Sequence, residues 1–280
     1  MKLADSWVLV RERLADTGIV DASLEAEVLH RSVLDMDRAG FISELQTEIS
    51  SVQVKSIDQL INRRLKGEPL SYITGVREFY GLELVVDSRV LVPRQETELL
   101  VDLTLKAVEE IGLSRPVIID VGTGSGAIAI ALASRLRSAI VYAVDLSVNA
   151  LDVAMQNCDR HAVTDRVRLI HGDLFSSLVE MVDIVVCNPP YIPSGELRKL
   201  PRDIGYEPRL ALDGGQDGLD VLRRLLAQAK HRIRCNGRLI FELSPEQVET
   251  AMELARNTFP QRRVSFERDL LNHPRAVVVH

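Results

Sequence analysis

From residue 93 onward the chain alternates short, almost wholly apolar segments with amphipathic ones. The segments "PVIID" (116–120), "AIVYAVD" (139–145), "DIVVC" (183–187) and "RLIFEL" (238–243) have strand length and no polar face. Strands buried on both sides require a parallel sheet covered by helices. Between and after them "GAIAIALASRL", "NALDVAMQNCDRH", "GLDVLRRLLAQAKHRI" and "PEQVETAMELARN" carry helical spacing. "RRVSFERDL" and "RAVVVH" close the chain as two more strands. The expected fold is α/β and Rossmann-like over residues 93–280.

The first part of the chain follows another pattern. In residues 1–72, Val8, Leu9 and Leu14, then Leu24, Val28, Leu29, Val33 and Leu34, then Ile57, Leu60, Ile61 and Leu65 recur at helical spacing. The last run stops at Gly67-Glu68-Pro69. This predicts a small helical bundle domain. Residues 73–92 switch to period-two alternation with turn residues at Gly81 and Asp87-Ser88, which predicts a β-hairpin linker.

Composition excludes several classes. The net charge is −6, and residues 1–75 carry nine Lys and Arg against twelve Asp and Glu, so no basic nucleic-acid arm is present. The three cysteines stand far apart without a C-x-x-C, and the six histidines lack ligand spacing, so neither a metal nor a disulfide framework is expected. No apolar run reaches the ~18 residues of a membrane span, and the charged N-terminus does not read as a signal peptide. A cytoplasmic, monomeric protein without membrane or direct nucleic-acid contacts is the expectation.

"IIDVGTGSGAIAIALA" places Gly122, Gly124 and Gly126 between a strand and a helix. Glycines there let backbone N–H groups approach a ligand closely. Asp145 ends the next strand, 19 residues after Gly126, where a carboxylate can accept from ribose hydroxyls. Gly122-x-Gly124-x-x-Ala127 also fits a dinucleotide fingerprint, so NAD stays open on glycine spacing alone. Asp120 suits a ligand with an amino-acid moiety better, held directly or through water, as S-adenosylmethionine presents. "HGDLF" adds Asp173 for an adenine amino group and Leu174 for the ring, although Asp173 would serve equally as a helix cap.

The strand "MVDIVVC" ends in Asn188-Pro189-Pro190-Tyr191. Two prolines cannot continue a sheet ladder, so the turn is at least a terminator. In a doubly wound sheet it also stands beside the nucleoside site. An amide or aromatic-amine nitrogen is a poor nucleophile because its lone pair is delocalised. The Asn188 side-chain oxygen and the Pro189 carbonyl can accept its two N–H groups and aim the lone pair at a sulfonium methyl group. Tyr191 can pack on a flat amide or base. A side-chain amide and the N6 of adenine in DNA or RNA both fit this chemistry.

In order along the chain, "REFYGLELVVDSRVLVPRQETE", "DVGTGSGAIAIALA", "DLF", "NPPYIP", "LALDGGQDGL" and "FELSPEQ" resemble the signatures of the HemK/PrmC family. Its members methylate a glutamine in the Gly-Gly-Gln loop of peptide-chain release factors. The resemblance covers nearly the whole chain and implies S-adenosylmethionine as cofactor and a release factor as partner, docked on the helical domain. By position, it implies that Gly122, Thr123, Gly124, Ser125 and Gly126 cradle the methionine end of the cofactor. Asp145 would bind the ribose and Leu174 would lie by the adenine. Asn188 to Tyr191 would hold the glutamine amide, with Pro93, Arg94, Glu96 and Thr97 lining the same pocket. Gln95 stands where the family often has proline, and Leu174 where some members have an aromatic residue. The chain's own Gly214-Gly215-Gln216 is read as a turn, not as a substrate.

Overall fold

Three apolar clusters organise the chain, one in the helical part and two about the large sheet. The computed structural model describes residues 1–280 and resolves two compact units, Met1–Gly75 with Pro201–Tyr206, and Val76–Leu200 with Glu207–His280.

The first unit holds α1 (Leu3–Ala15), α2 (Ala22–Leu34), α3 (Arg38–Ser43), α4 (Ser51–Leu65) and α5 (Leu70–Thr74). Its core is built on Leu3, Val10, Leu14, Ala26, Leu29, Phe41, Ile57 and Ile61. The expected stripe on the first two helices is rotated: Leu9 and Leu24 are exposed, while Leu3, Val10, Ala22 and Ala26 face inward. Small alanines on α2 let α1 approach closely, so the apolar face is narrower than the large residues suggest. Ser50 caps α4 through a reciprocal box with Gln53. Arg64 pairs with Glu25, bridging α4 and α2. Within this unit the Tyr206 hydroxyl donates to the carbonyl of Lys66.

The second unit opens with a hairpin, β1 (Val76–Phe79) and β2 (Leu82–Val85). It is no free linker, because Phe79 and Leu84 are fully buried in this unit's core. There follow α6 (Glu98–Ile111), β3 (Val117–Val121), α7 (Ala127–Arg135), β4 (Ile140–Asp145), α8 (Val148–Arg160), β5 (Val167–His171) and β6 (Val182–Cys187). The chain ends with α9 (Asp220–Ala229), β7 (Ile233–Glu242), α10 (Val248–Thr258), β8 (Val264–Arg268) and β9 (Pro274–Val279).

The seven-stranded sheet has the order β5-β4-β3-β6-β7-β9-β8. The first five strands are parallel, and β9 is antiparallel to both β7 and β8. Every residue of β6 is buried, as its apolar run requires. Asp183 at its start accepts from Val117 N–H at 2.8 Å and pairs with Arg234, so that buried charge is compensated. The chain steps outward from β3 to β4 and β5, then returns to lay β6 on the other side of β3. That reversal puts the topological switch point between β3 and β6, where α/β folds bind ligands.

Candidate active site

The register pairs Val121 with Cys187, so the glycine turn after β3 and the Asn188 turn after β6 start side by side. A cavity of about 230 Å³ opens at the carboxyl ends of β3, β4, β5 and β6. Gly122, Gly124, Asp145, Asp173, Leu174, Asn188, Pro189 and Pro190 all wall it. Residues expected to bind nucleoside and residues expected to hold the acceptor nitrogen therefore share one space.

The glycine turn divides its labour. Gly124 N–H donates to Asp145 Oδ2 at 2.8 Å, and Ser147 N–H donates to Oδ1 at 2.8 Å. Both oxygens keep lone pairs, and burial raises the carboxyl above its usual range. Gly126 sits at φ +83° at the mouth of α7, and a Cβ there would lie 2.9 Å from Ile130 Cδ1. Thr123 and Ser125 are buried and do not wall the cavity. They shape the turn from behind: Thr123 donates to Asp120 Oδ2 at 2.7 Å, and the Ser125 carbonyl accepts from Asn157 at 2.9 Å.

Asp120 also lies behind the turn rather than in the cavity. It is 0% exposed and accepts from Thr123 and from Ala129 N–H, which leaves direct contact with a ligand's amino group without support. Burial pushes its carboxyl up to about 7, and Oδ1 has no hydrogen-bond partner. Asp173 is at the cavity but engaged, since its carboxylate pairs with Arg224, another wall residue. Leu174 is buried and presents its side chain to the same wall.

The turn after β6 is braced on every side. Ile192 N–H donates to the carbonyl of Leu212, and Gly214 N–H returns a bond to the carbonyl of Ile192. A Cβ on Gly214 would lie 2.7 Å from the Pro190 carbonyl oxygen, so only glycine allows that approach. Gly214-Gly215-Gln216 is thus a buttress, with Gly215 accepting from Ser194 N–H and Gln216 N–H donating to Asp220. Gln247 donates to the Tyr191 carbonyl at 2.9 Å.

Of the four residues before α6, Thr97 is hydrogen-bonded to the turn. Asn188 Nδ2 donates to Thr97 Oγ1 at 3.1 Å, and Thr97 donates to Glu242 Oε2 at 2.7 Å. Arg94 pairs with the buried Glu207 at 2.6 Å. Pro93 is buried, with its carbonyl accepting from Arg77, and Glu96 is exposed. None of the four walls the cavity itself. The Tyr191 hydroxyl lies 3.5 Å from Glu242 Oε1, turned toward that carboxylate.

Several cavity residues fall in or beside the signature stretches without an individual role assigned from the sequence. Arg89, Val90 and Leu91 come from the segment after the hairpin, and Pro208, Leu210 and Ala211 from the segment before Gly214. Glu242 and Gln247 fall in "FELSPEQ", where two polar residues close an apolar strand, but no local spacing ties them to Thr97 or Tyr191.

Residues 95–199 match the methyltransferase small domain family, and residues 8–75 match the PrmC N-terminal domain family. Among solved structures, the hMettl16 catalytic domain in complex with a MAT2A 3′UTR hairpin superposes with a TM-score of 0.59 at 17% identity, over 76% of this chain and 82% of that one. Fold, switch-point cavity and family match together define a Rossmann-like methyltransferase. The release factor glutamine methyltransferase of Moorella thermoacetica is 42% identical over 87% of this chain and 86% of its own length. That of Geobacter sulfurreducens is 39% identical over 89% and 86%. The chain belongs to the release factor glutamine methyltransferase family.

Proposed function

We propose that the protein methylates the side-chain nitrogen of the glutamine in the Gly-Gly-Gln loop of peptide-chain release factors, using S-adenosylmethionine. The observation that carries this reading is Asn188, which walls the same cavity as Asp145 and directs its Nδ2 at Thr97. Its Oδ1 lies on the opposite side of the amide, as an acceptor for an incoming N–H.

Asp145 suits a ribose, because both its oxygens are already oriented by backbone N–H groups and retain accepting capacity. Gly122 and Gly124 leave backbone room beside it. The unpartnered Oδ1 of Asp120 is consistent with an electropositive ligand group beyond the turn, felt through Thr123 and the turn rather than by contact. Leu174 offers an apolar surface for a purine, and Asp173 with Arg224 a polar edge. Bound there, S-adenosylmethionine would supply a sulfonium methyl group as electrophile, the methyl–sulfur bond pair passing to sulfur as the bond to nitrogen forms. Asn188 Oδ1 and the Pro189 carbonyl accept from the two N–H groups of the glutamine amide and turn its lone pair toward that carbon. The nitrogen gains positive charge, which these two acceptors stabilise, and it then releases one proton to water. Pro189 and Pro190 keep the acceptors rigid, and Tyr191 completes the turn. Thr97 braces the acceptor site from behind through Asn188, while Pro93, Arg94 and Glu96 stand outside the cavity wall.

Asn188→Ala is expected to abolish transfer while cofactor affinity, measured by calorimetry, stays within a few-fold. Surviving activity would remove Asn188 from the mechanism. The helical unit is assigned the docking of the release factor. Removing residues 1–72 should then spare cofactor binding and impair methylation of the intact release factor; undiminished activity would rule docking out.

A further inference from the structure

Asn188 serves as an acceptor only if its amide is the right way round, and oxygen and nitrogen are nearly the same shape. The hydrogen-bond network must therefore decide the orientation. Thr97 has a single hydroxyl proton. Its Oγ1 lies 2.7 Å from Glu242 Oε2, and an ionised carboxylate can only accept. The Thr97 proton is committed there, so what Thr97 offers Asn188 is a lone pair. Only the NH₂ end of Asn188 can answer it, at 3.1 Å.

We propose that Glu242 is a positioning residue for methyl transfer, which through Thr97 fixes the Asn188 amide with its oxygen toward the acceptor nitrogen. This rests on the glutamine reading above and adds to it a residue that never touches substrate. The chain of contacts joins β7, the turn before α6 and the turn after β6. Glu242 is 1% exposed, so water does not compete for these bonds. If Glu242 were protonated it could donate to Thr97, whose own proton would then be free to meet Asn188 Oδ1. The amide would turn over and present N–H groups to N–H groups.

The charge of Glu242 is set by the groups around it. Tyr191 faces it from the turn after β6, Cys187 from β6, Arg275 from β9 and Glu96 from the turn before α6. Burial dominates and pushes the carboxyl up to about 7, with Thr97 and Arg275 opposing. The relay is therefore expected to be set above this value and lost as pH falls through it.

The first test needs neither cofactor nor release factor. In the full chain, the side-chain NH₂ resonances of Asn188 are assigned by their loss in Asn188→Asp and followed against pH. In the wild type they should shift through a midpoint near about 7. In Thr97→Val, which keeps shape and removes the hydroxyl, the shift should vanish. In Glu242→Gln, which cannot titrate, it should vanish too. A wild-type resonance blind to pH, or a response that persists in either variant, overturns the proposal.

The second test is kinetic. With a release factor and S-adenosylmethionine, wild-type kcat should climb as pH rises through the same midpoint. Thr97→Val should lower kcat on the order of a hundredfold, flatten that rise and leave cofactor affinity unchanged. Thr97→Ser should recover most of the rate. Wild-type kcat and pH profile in Thr97→Val would overturn the relay. Failure of the wild type to methylate a release factor would instead count against the glutamine reading, with the resonance test still standing.

Discussion

Asp145 and Asp120 end neighbouring strands, yet they are held for different purposes. Asp145 is at the cavity with one backbone N–H on each oxygen, so it is oriented and still able to accept. Asp120 is sealed behind the turn and serves Thr123 and Ala129. Asp145→Ala is accordingly expected to weaken S-adenosylmethionine binding by ~1–3 kcal/mol, the scale of a hydrogen bond to a charged group. Unchanged affinity by calorimetry would remove the ribose assignment. Residues whose role follows from their neighbours in sequence were legible in advance: the glycines, Asp145 and Asn188 each sit at a strand end beside a turn. Thr97 and Glu242 are 145 residues apart and meet only because β6, β7 and the turn before α6 converge. No local pattern announces such a pair. Arg94, expected at the pocket, is instead drawn to the buried carboxylate of Glu207, a partner 113 residues away in sequence.

At the level of elements, the hairpin illustrates where pattern reading stops. Period-two alternation identifies β1 and β2, but beyond the buried Phe79 and Leu84 their attachment includes a polar side chain in α8. Asn157 is 0% exposed. It accepts from Val85 N–H at 2.7 Å and donates to the carbonyls of Val85 and Ser125, both at 2.9 Å. One amide thus staples β2 to the glycine turn across α8. From sequence alone Asn157 reads as an ordinary polar residue in an amphipathic helix. Asn157→Ala leaves a buried N–H and two carbonyls short of partners and should destabilise the fold by about 3 kcal/mol, less than three independent losses because the groups relax together. Urea unfolding measures this, and a change below about 1 kcal/mol would contradict the staple. The parallel strands were legible because burial on both faces leaves only apolar residues. Both closing strands are legible in "RRVSFERDL" and "RAVVVH", but the direction of β9, antiparallel to β7 and β8 where a parallel sheet is expected, is not.

For the molecule as a whole, two buried carboxyls raised to about 7 have a consequence for stability. Between the unfolded carboxyl range and about 7, the folded chain holds protons at Asp120 and Glu242 that the unfolded chain has released. Unfolding there releases protons, so the contribution of these two groups falls as pH rises and levels off above their folded values. Urea stability should therefore decline from about pH 5 to about pH 8, and Glu242→Gln should make the decline shallower. A flat profile in the wild type would show that both groups stay ionised when folded. The division into a helical unit and an α/β unit was readable from the change of hydrophobic period. The assignment of Pro201–Tyr206 to the helical unit was not, because that short segment lies far along the chain from the residues it packs with. The most direct test of the central claim is transfer of label from tritiated S-adenosylmethionine, with a release factor, its Gly-Gly-Gln glutamine-to-alanine variant, DNA and RNA offered in parallel. Label in the wild-type release factor alone is the predicted result. Label in nucleic acid, or equal label in the alanine variant, would contradict it.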